Sequence, residues 1–276
     1  MKQKSSNINQ LLEIMAKLRD PDDGCPWDQK QTFRSIVPHT LEEAYEVADA
    51  IEQQDYQELK GELGDLLFQV VFYAQLAKEQ QLFDFNDVVE AVSEKLVRRH
   101  PHVFGQADFA DEQAVKANWE AEKAQERAIT LAAKADSEQA QELSVLDNIP
   151  RAMPALTRAN KIQKRCATVG FDWHTLGPVV DKIKEEIDEV LDEVHQVSPD
   201  QDRIEDEVGD LLFATVNLVR HLKHDPEQAL RRANDKFERR FRLLEKHFLS
   251  QNKALDQCSL DEMEQIWQKV KETYES

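Results

Sequence analysis

Glu186 and Glu189 stand three residues apart in KEEIDEVLDEVHQ, Lys184 to Gln196, and Glu207 and Asp210 repeat that spacing in DEVGDLLFATV, Asp206 to Val216. Residues three apart share one face of a helix. Two such pairs on adjacent helices offer four oxygen ligands to a common space, which suits a hard cation such as Mg2+, with Mn2+ as a substitute. No histidine or cysteine joins the set, so zinc is not expected.

Acidic helices are more often solvated than ligating, and residues 185–193 alone hold six carboxylates. Helical phase separates them. Ile183, Ile187, Val190, Leu191 and Val194 form one apolar stripe with Glu186 on its border and Glu189 one step farther round, while Glu185, Asp188 and Asp192 lie opposite. Glu193 is expected to share the seam with Glu186 and Glu189. Glu207 and Asp210 precede or interrupt VGDLLFATVNLV, a run apolar enough to be largely buried, where an ionised carboxylate needs a counter-charge or a cation. Gly209, without a side chain, would let a neighbouring helix approach.

The same constellation occurs twice. TLEEAYEVADAIEQ (residues 40–53) is echoed by IKEEIDEVLDEVHQ (183–196), and GELGDLLFQVV (61–71) by DEVGDLLFATV (206–216). Glu43 and Glu46 map to Glu186 and Glu189 at an offset of 143, and Glu62 and Asp65 to Glu207 and Asp210 at 145. The first repeat therefore carries a second candidate metal site. Downstream the match weakens to EKLVRRH against DKFERRF, and each copy is expected to end in a Trp-bearing helix. Residues 124–143 have almost no large apolar residue after Leu131, which reads as frayed helix or linker. The expected division is 1–127, a linker over 128–145, and 146–276.

These elements must be helical. Helix formers dominate, with only seven glycines and four tyrosines among 276 residues, so the fold class is all-α, two tandem helical bundles. In the second copy helices are expected over 152–168, 176–195, 201–223, 226–249 and 260–274, with cap-type residues at Ser198 and Asp200 and a break at Asp225 before Pro226. Three scattered cysteines, Cys25, Cys166 and Cys258, support neither a disulfide framework nor a zinc site and fit a reducing cytoplasm. The start MKQKSSNINQ lacks an apolar leader, and no apolar run is long enough to span a bilayer, so no membrane partner is expected. A net charge of -19 repels nucleic acid.

Cations lie one helix later: Lys236, Arg239 and Arg240 in the second copy, Lys95, Arg98 and Arg99 in the first. With a metal they would make a receptor for a polyphosphate; the plainer reading pairs them with acidic neighbours. There is no P-loop and no Ser-His-Asp or Cys-His arrangement, so a metal-activated water is the economical nucleophile. His221 and His224 fit a helix C-terminus without metal, and His100 and His102 read as structural. Trp267 reads as core packing or, more sharply, as a base-stacking group.

TLEEAYEVADAI, ELGDLLFQVVFYAQLA, KLVRRHPHVFG, CPWDQKQTF and GFDW together resemble the two-domain MazG family of nucleoside triphosphate pyrophosphohydrolases. The resemblance implies an all-α enzyme, usually a homodimer, that uses Mg2+ to cleave NTPs or dNTPs between the α and β phosphates, with broad base choice. It implies metal ligands at Glu186, Glu189, Glu207 and Asp210, and nucleotide contacts at Lys182, Glu185, Arg203, Asp206, Lys236, Arg239, Arg240 and Trp267. The first repeat lacks counterparts of Lys182 and Arg203, its aligned segments reading HTLEE and QELKGE. Two alternatives stand beside this: a nucleotide-specific all-α pyrophosphatase, dUTPase-like or phosphoribosyl-ATP pyrophosphohydrolase-like, and a non-catalytic acidic helical interaction protein.

Overall fold

The computed structural model describes residues 7–135 and 144–274. The chain divides into two compact units, 1–137 and 138–276, and the division falls within the segment expected as a linker. The first unit holds α1 (Ile8–Leu18), α2 (Pro26–Gln29), α3 (Phe33–Glu52), α4 (Tyr56–Glu79), α5 (Phe85–Arg99), α6 (Pro101–Phe104) and α7 (Glu112–Ala135). The second holds α8 (Ala155–Ala167), α9 (Leu176–Val194), α10 (Gln201–His221), α11 (Pro226–Ser250) and α12 (Leu260–Tyr274), with a 3-10 turn at Leu255–Gln257. The described residues contain no strand, and none of their helices is long and apolar enough to cross a membrane. The expected linker is helical as far as Ala135, and its residues 136–143 lie outside the described residues.

Local sequence sets the helix starts. Asp55 accepts from the backbone N–H of Gln57 and Glu58 ahead of α4, and Asp200 accepts from Asp202 N–H ahead of α10. Asp225 accepts from Gln228 N–H with Pro226 in the first turn of α11. Ser198, the other expected cap, lies in the loop before α10. Trp119 and Trp267 do fall on the last helices of their units, α7 and α12.

Each unit is built on one helical hairpin, α3 with α4 and α9 with α10. In the first unit α1 packs on α4, and Met15, Ile36, Val71, Phe72 and Leu76 make a fully buried apolar cluster. In the second, α8 packs on α10, but the buried set mixes Val179, Ala214 and Val216 with Asn160, Gln163, Glu186, Glu193 and Asn217. Buried polar groups persist only where they are paired or face a ligand or water. Of this polar set, Gln163, Glu186 and Asn217 line a cavity.

Candidate metal centre and its adjoining cavity

Glu186 is 4% exposed. It projects from α9 toward α10, where one carboxylate oxygen each from Glu186, Glu207 and Asp210 lies within 4.8 Å of the others. Glu207 is half-buried and Asp210 is exposed, so burial deepens toward Glu186. Lys182, one turn earlier on α9, donates to Glu186 Oε1 and to Glu185 Oε1, both at 2.7 Å. These two carboxylates hold the lysine well above the usual ammonium range. Glu186 Oε2 is buried and has no hydrogen-bond partner within the chain.

Three converging carboxylates with one buried oxygen left over fit a hard divalent cation. Glu189 lies beside the three, hydrogen-bonded to Glu186. Its carboxyl is pushed up by burial first, then by that shared hydrogen bond and the negative charges of Glu186 and Glu207. The structure thus brings Glu186, Glu207 and Asp210 together, with Glu189 coupled at their edge.

Two expectations about the flanking helices change. Burial on α10 begins at Ala214, whereas Val208, Leu212 and Phe213 are exposed, so VGDLLF is not the buried run its composition suggested. On α9 the face that meets α10 runs through Val179, Ile183, Glu186, Val190 and Glu193, while Ile187, Leu191 and Val194 stay exposed. The apolar stripe is wider than one partner helix covers, and α10 covers its acidic border. A Cβ added at Gly209 meets nothing within 4 Å, so Gly209 does not serve close packing within the chain.

Other candidate residues lie farther off. Arg203 pairs with buried Glu193, and Glu185 and Asp206 face solvent. Lys236 and Arg239 are exposed on α11, Arg240 is buried there, and Trp267 on α12 packs against Phe237 with ring centroids 5.0 Å apart. None of these lines the cavity beside the carboxylates.

That cavity, of about 550 Å³, is bounded by α8, α9, α10 and the loop before α9. Lys182, Glu186 and Asp210 form its charged end; Gln163, Phe171, Trp173, Asn217 and Arg220 contribute farther along. The size is that of a small-molecule site. Sequence reading missed Gln163, Asn217 and Arg220 and noted Phe171 and Trp173 only within the family string GFDW. The available signal was Asn217 interrupting the apolar FATVNLV.

The first unit repeats the carboxylates. Oxygens of Glu43, Glu62 and Asp65 also lie within 4.8 Å. Burial, then repulsion from Asp65 and Glu46, pushes Glu43 up, and Glu62 is raised by burial and Glu46. Where α10 carries Asn217, Arg220 and His221, α4 carries Phe72, Gln75 and Leu76 at the offset of 145, and Phe72 and Leu76 belong to the core. Lys182 is answered by His39, whose Nδ1 is 3.7 Å from Glu42. The arginines of the RRH segment are occupied: Arg98 and Arg99 both pair with Glu126 on α7.

The family model described as MazG nucleotide pyrophosphohydrolase domain matches residues 31–104 and 175–243, more than half of the chain. The chain belongs to the MazG family. Both carboxylate sets fall inside the matched segments, whereas Gln163, Phe171 and Trp173 lie outside them. An Escherichia coli K12 protein named nucleoside triphosphate pyrophosphohydrolase is 56% identical over 96% of this chain and 97% of its own length. A Thermotoga maritima protein named nucleoside triphosphate pyrophosphohydrolase/pyrophosphatase MazG is 40% identical over 98% of both chains. The uncharacterized protein YabN of Bacillus subtilis is 41% identical over 94% of this chain but 50% of its own, so a full MazG pair also occurs within a longer polypeptide.

Proposed function

We propose that this chain hydrolyses nucleoside triphosphates between the α and β phosphates, releasing a nucleoside monophosphate and pyrophosphate, with broad base choice and in its second unit. The observation that carries this reading is the Glu186 carboxylate, its Oε2 buried and unpartnered, converging with Glu207 and Asp210 at one end of a cavity of about 550 Å³. Membership of the MazG family supplies the reaction class.

Glu186, Glu207 and Asp210, with Glu189 beside them, would hold Mg2+ or Mn2+. Such a cation neutralises phosphate charge and makes a bound water acidic enough to attack phosphorus. The chain supplies the rest. Lys182 presents an ammonium at the same end of the cavity, kept charged by Glu185 and Glu186, where it can meet a phosphate oxygen. The first unit has the carboxylates, but its core residues Phe72 and Leu76 stand where the second has Asn217 and His221, which supports turnover in the second.

The working form is a homodimer in the cytoplasm. Val180, Ile187, Leu191 and Val194 on α9 and Val208 and Leu212 on α10 form an exposed apolar surface, of the kind that marks an association site. A second copy of the same hairpin would cover it, and Gly209 leaves room for the approach.

The test is product analysis on a panel of eight NTPs and dNTPs with Mg2+, together with the mass of the protein in solution. Pyrophosphate and a monophosphate from most members are expected, from a dimer. Orthophosphate and a diphosphate would overturn the bond assignment, activity on one nucleotide alone the broad specificity, and a monomer the assembly.

A further inference from the structure

The loop that leads from α8 into α9 hangs on one side chain. α8 closes through Gly170, left-handed at φ +84°, whose N–H bonds to the Ala167 carbonyl while Phe171 N–H bonds to the Cys166 carbonyl, both at 3.1 Å. Beyond it, Asp172, Trp173 and His174 make no backbone hydrogen bond to another element among the described residues. The Asp172 carboxylate makes the attachment instead. Arg220 Nη1 and Nη2 donate to its two oxygens at 2.9 and 2.5 Å, and His221 Nε2 lies 3.0 Å from Oδ1.

The available hydrogens fix how these groups are set. Both hydrogens of Arg220 Nη2 are spent, one on Asp172 Oδ1 and one on Asn217 Oδ1 at 2.7 Å, and Nε donates to the same Asn217 oxygen at 2.9 Å. None remains for His221 Nε2, 2.9 Å away, so Nε2 is itself the N–H and donates to Asp172. α10 therefore presents three donors as a clasp, backed by the buried Asn217. The first unit ties its matching loop differently. Arg19 Nη1 donates to the Asp28 and Gln31 backbone carbonyls, and Cys25 N–H to the Leu18 carbonyl at 2.8 Å, so that loop is pinned along its backbone. The second unit's loop can let go through one carboxylate.

We propose that Asp172 is a positioning residue for the hydrolysis: clasped by Arg220 and His221, it holds the α8–α9 loop across the mouth of the cavity, and substrate enters and product leaves when the clasp opens. What passes the mouth rests on the reading of the site as a triphosphate hydrolase; the gate itself rests on the loop's contacts. Phe171 and Trp173 line the cavity yet are 81% and 42% exposed, so the two rings flanking Asp172 stand at its opening. A carboxylate between them moves both when it moves. A loop that must open in every turnover is held by few contacts. Cys166 lies under this one: it lines the same cavity, is half-buried, and its carbonyl receives the Phe171 N–H. Its thiol is a built-in reporter of opening.

The experiment alkylates the full chain with N-ethylmaleimide, follows each cysteine by peptide mass spectrometry, and sets the labelling rates beside steady-state kinetics. Asp172→Asn, which turns an NH2 toward the guanidinium fork, should speed labelling of Cys166 about tenfold while Cys25 and Cys258 keep their rates. Arg220→Lys, which keeps the charge but loses the fork, should do the same. Both should raise KM for a triphosphate about tenfold with kcat unchanged or up to about threefold higher, since the reacting end at Lys182, Glu186 and Asp210 is untouched and release is eased. Cys166 labelling that stays put, or a rise shared by all three cysteines, would overturn the clasp, as would a fall in kcat with KM unchanged. If no nucleotide releases pyrophosphate, the hydrolase reading fails, and the labelling still decides the gate: a rise confined to Cys166 supports it, and any other pattern removes it.

Discussion

Asn217 holds the place in its repeat that Phe72 holds in the other: Phe72 is 1% exposed inside an apolar core, and Asn217 is 8% exposed on the wall of a cavity. The two hairpins share their carboxylate geometry, three oxygens within 4.8 Å in each. What distinguishes them is the filling beside the carboxylates. Phe72→Asn should therefore destabilise the first unit by about 3–5 kcal/mol, since it removes a buried ring and buries an amide in its place. Urea unfolding of the whole chain measures this as an early transition.

Disabling each carboxylate set separately distinguishes the units. Glu207→Gln or Asp210→Asn should lower pyrophosphate release by about 100-fold or more with the helical circular dichroism retained. Glu62→Gln and Asp65→Asn should leave the rate within about twofold. A rate that falls equally for both sets would place turnover in both units.

Crowded carboxylates make metal stabilisation dependent on pH. Glu189, Glu43 and Glu62 are all held above the ordinary carboxylate range. A raised carboxyl binds more protons folded than unfolded, so without metal its effect on stability is most favourable at low pH and is lost as pH rises through the raised value. A cation reverses the repulsion but needs the ionised form. Mg2+ should raise the unfolding midpoint more at pH 8 than at pH 5, and a chelator should cancel the difference. Equal shifts at both pH values would count against these carboxylates as ligands.

Asp172 titrates in the opposite sense. The Arg220 guanidinium holds it below the usual carboxylate range against partial burial, and His221 adds to that. Its contribution to stability is present above the unfolded carboxylate value of about 3.9 and is lost as pH falls through the lower folded value. Asp172→Asn should cost about 1–2 kcal/mol at pH 7, and the gap from the unaltered protein should close below about pH 4. Thermal unfolding across that range is the measurement.

The exposed apolar surface yields a separate expectation. If the proposed dimer forms through it, Leu191→Glu with Leu212→Glu should yield a monomer, read by sedimentation, because charge is costly in the centre of such an interface. A dimer that survives both changes uses another surface.

Much of this protein is determined by sequence alone. The all-α class follows from helix formers and cap residues such as Asp55, Asp200 and Asp225, which act through contacts two or three residues away. The duplication is visible as an offset, and the i, i+3 carboxylates follow from helical geometry. Local chemistry suffices there because each interaction closes within one turn.

Tertiary structure decided which side of each amphipathic helix found a partner. The apolar stripe of α9 could have been buried whole, yet α10 covers Glu186 and Glu193 and leaves Ile187 and Leu191 in the open. The cavity was likewise beyond the pattern, since Gln163, Asp172, Asn217 and Arg220 come from three separate segments. Hydrophobic periodicity reports how much surface a helix would bury; which neighbour arrives, and whether it fills the space or leaves room for a ligand, depends on residues far away along the chain.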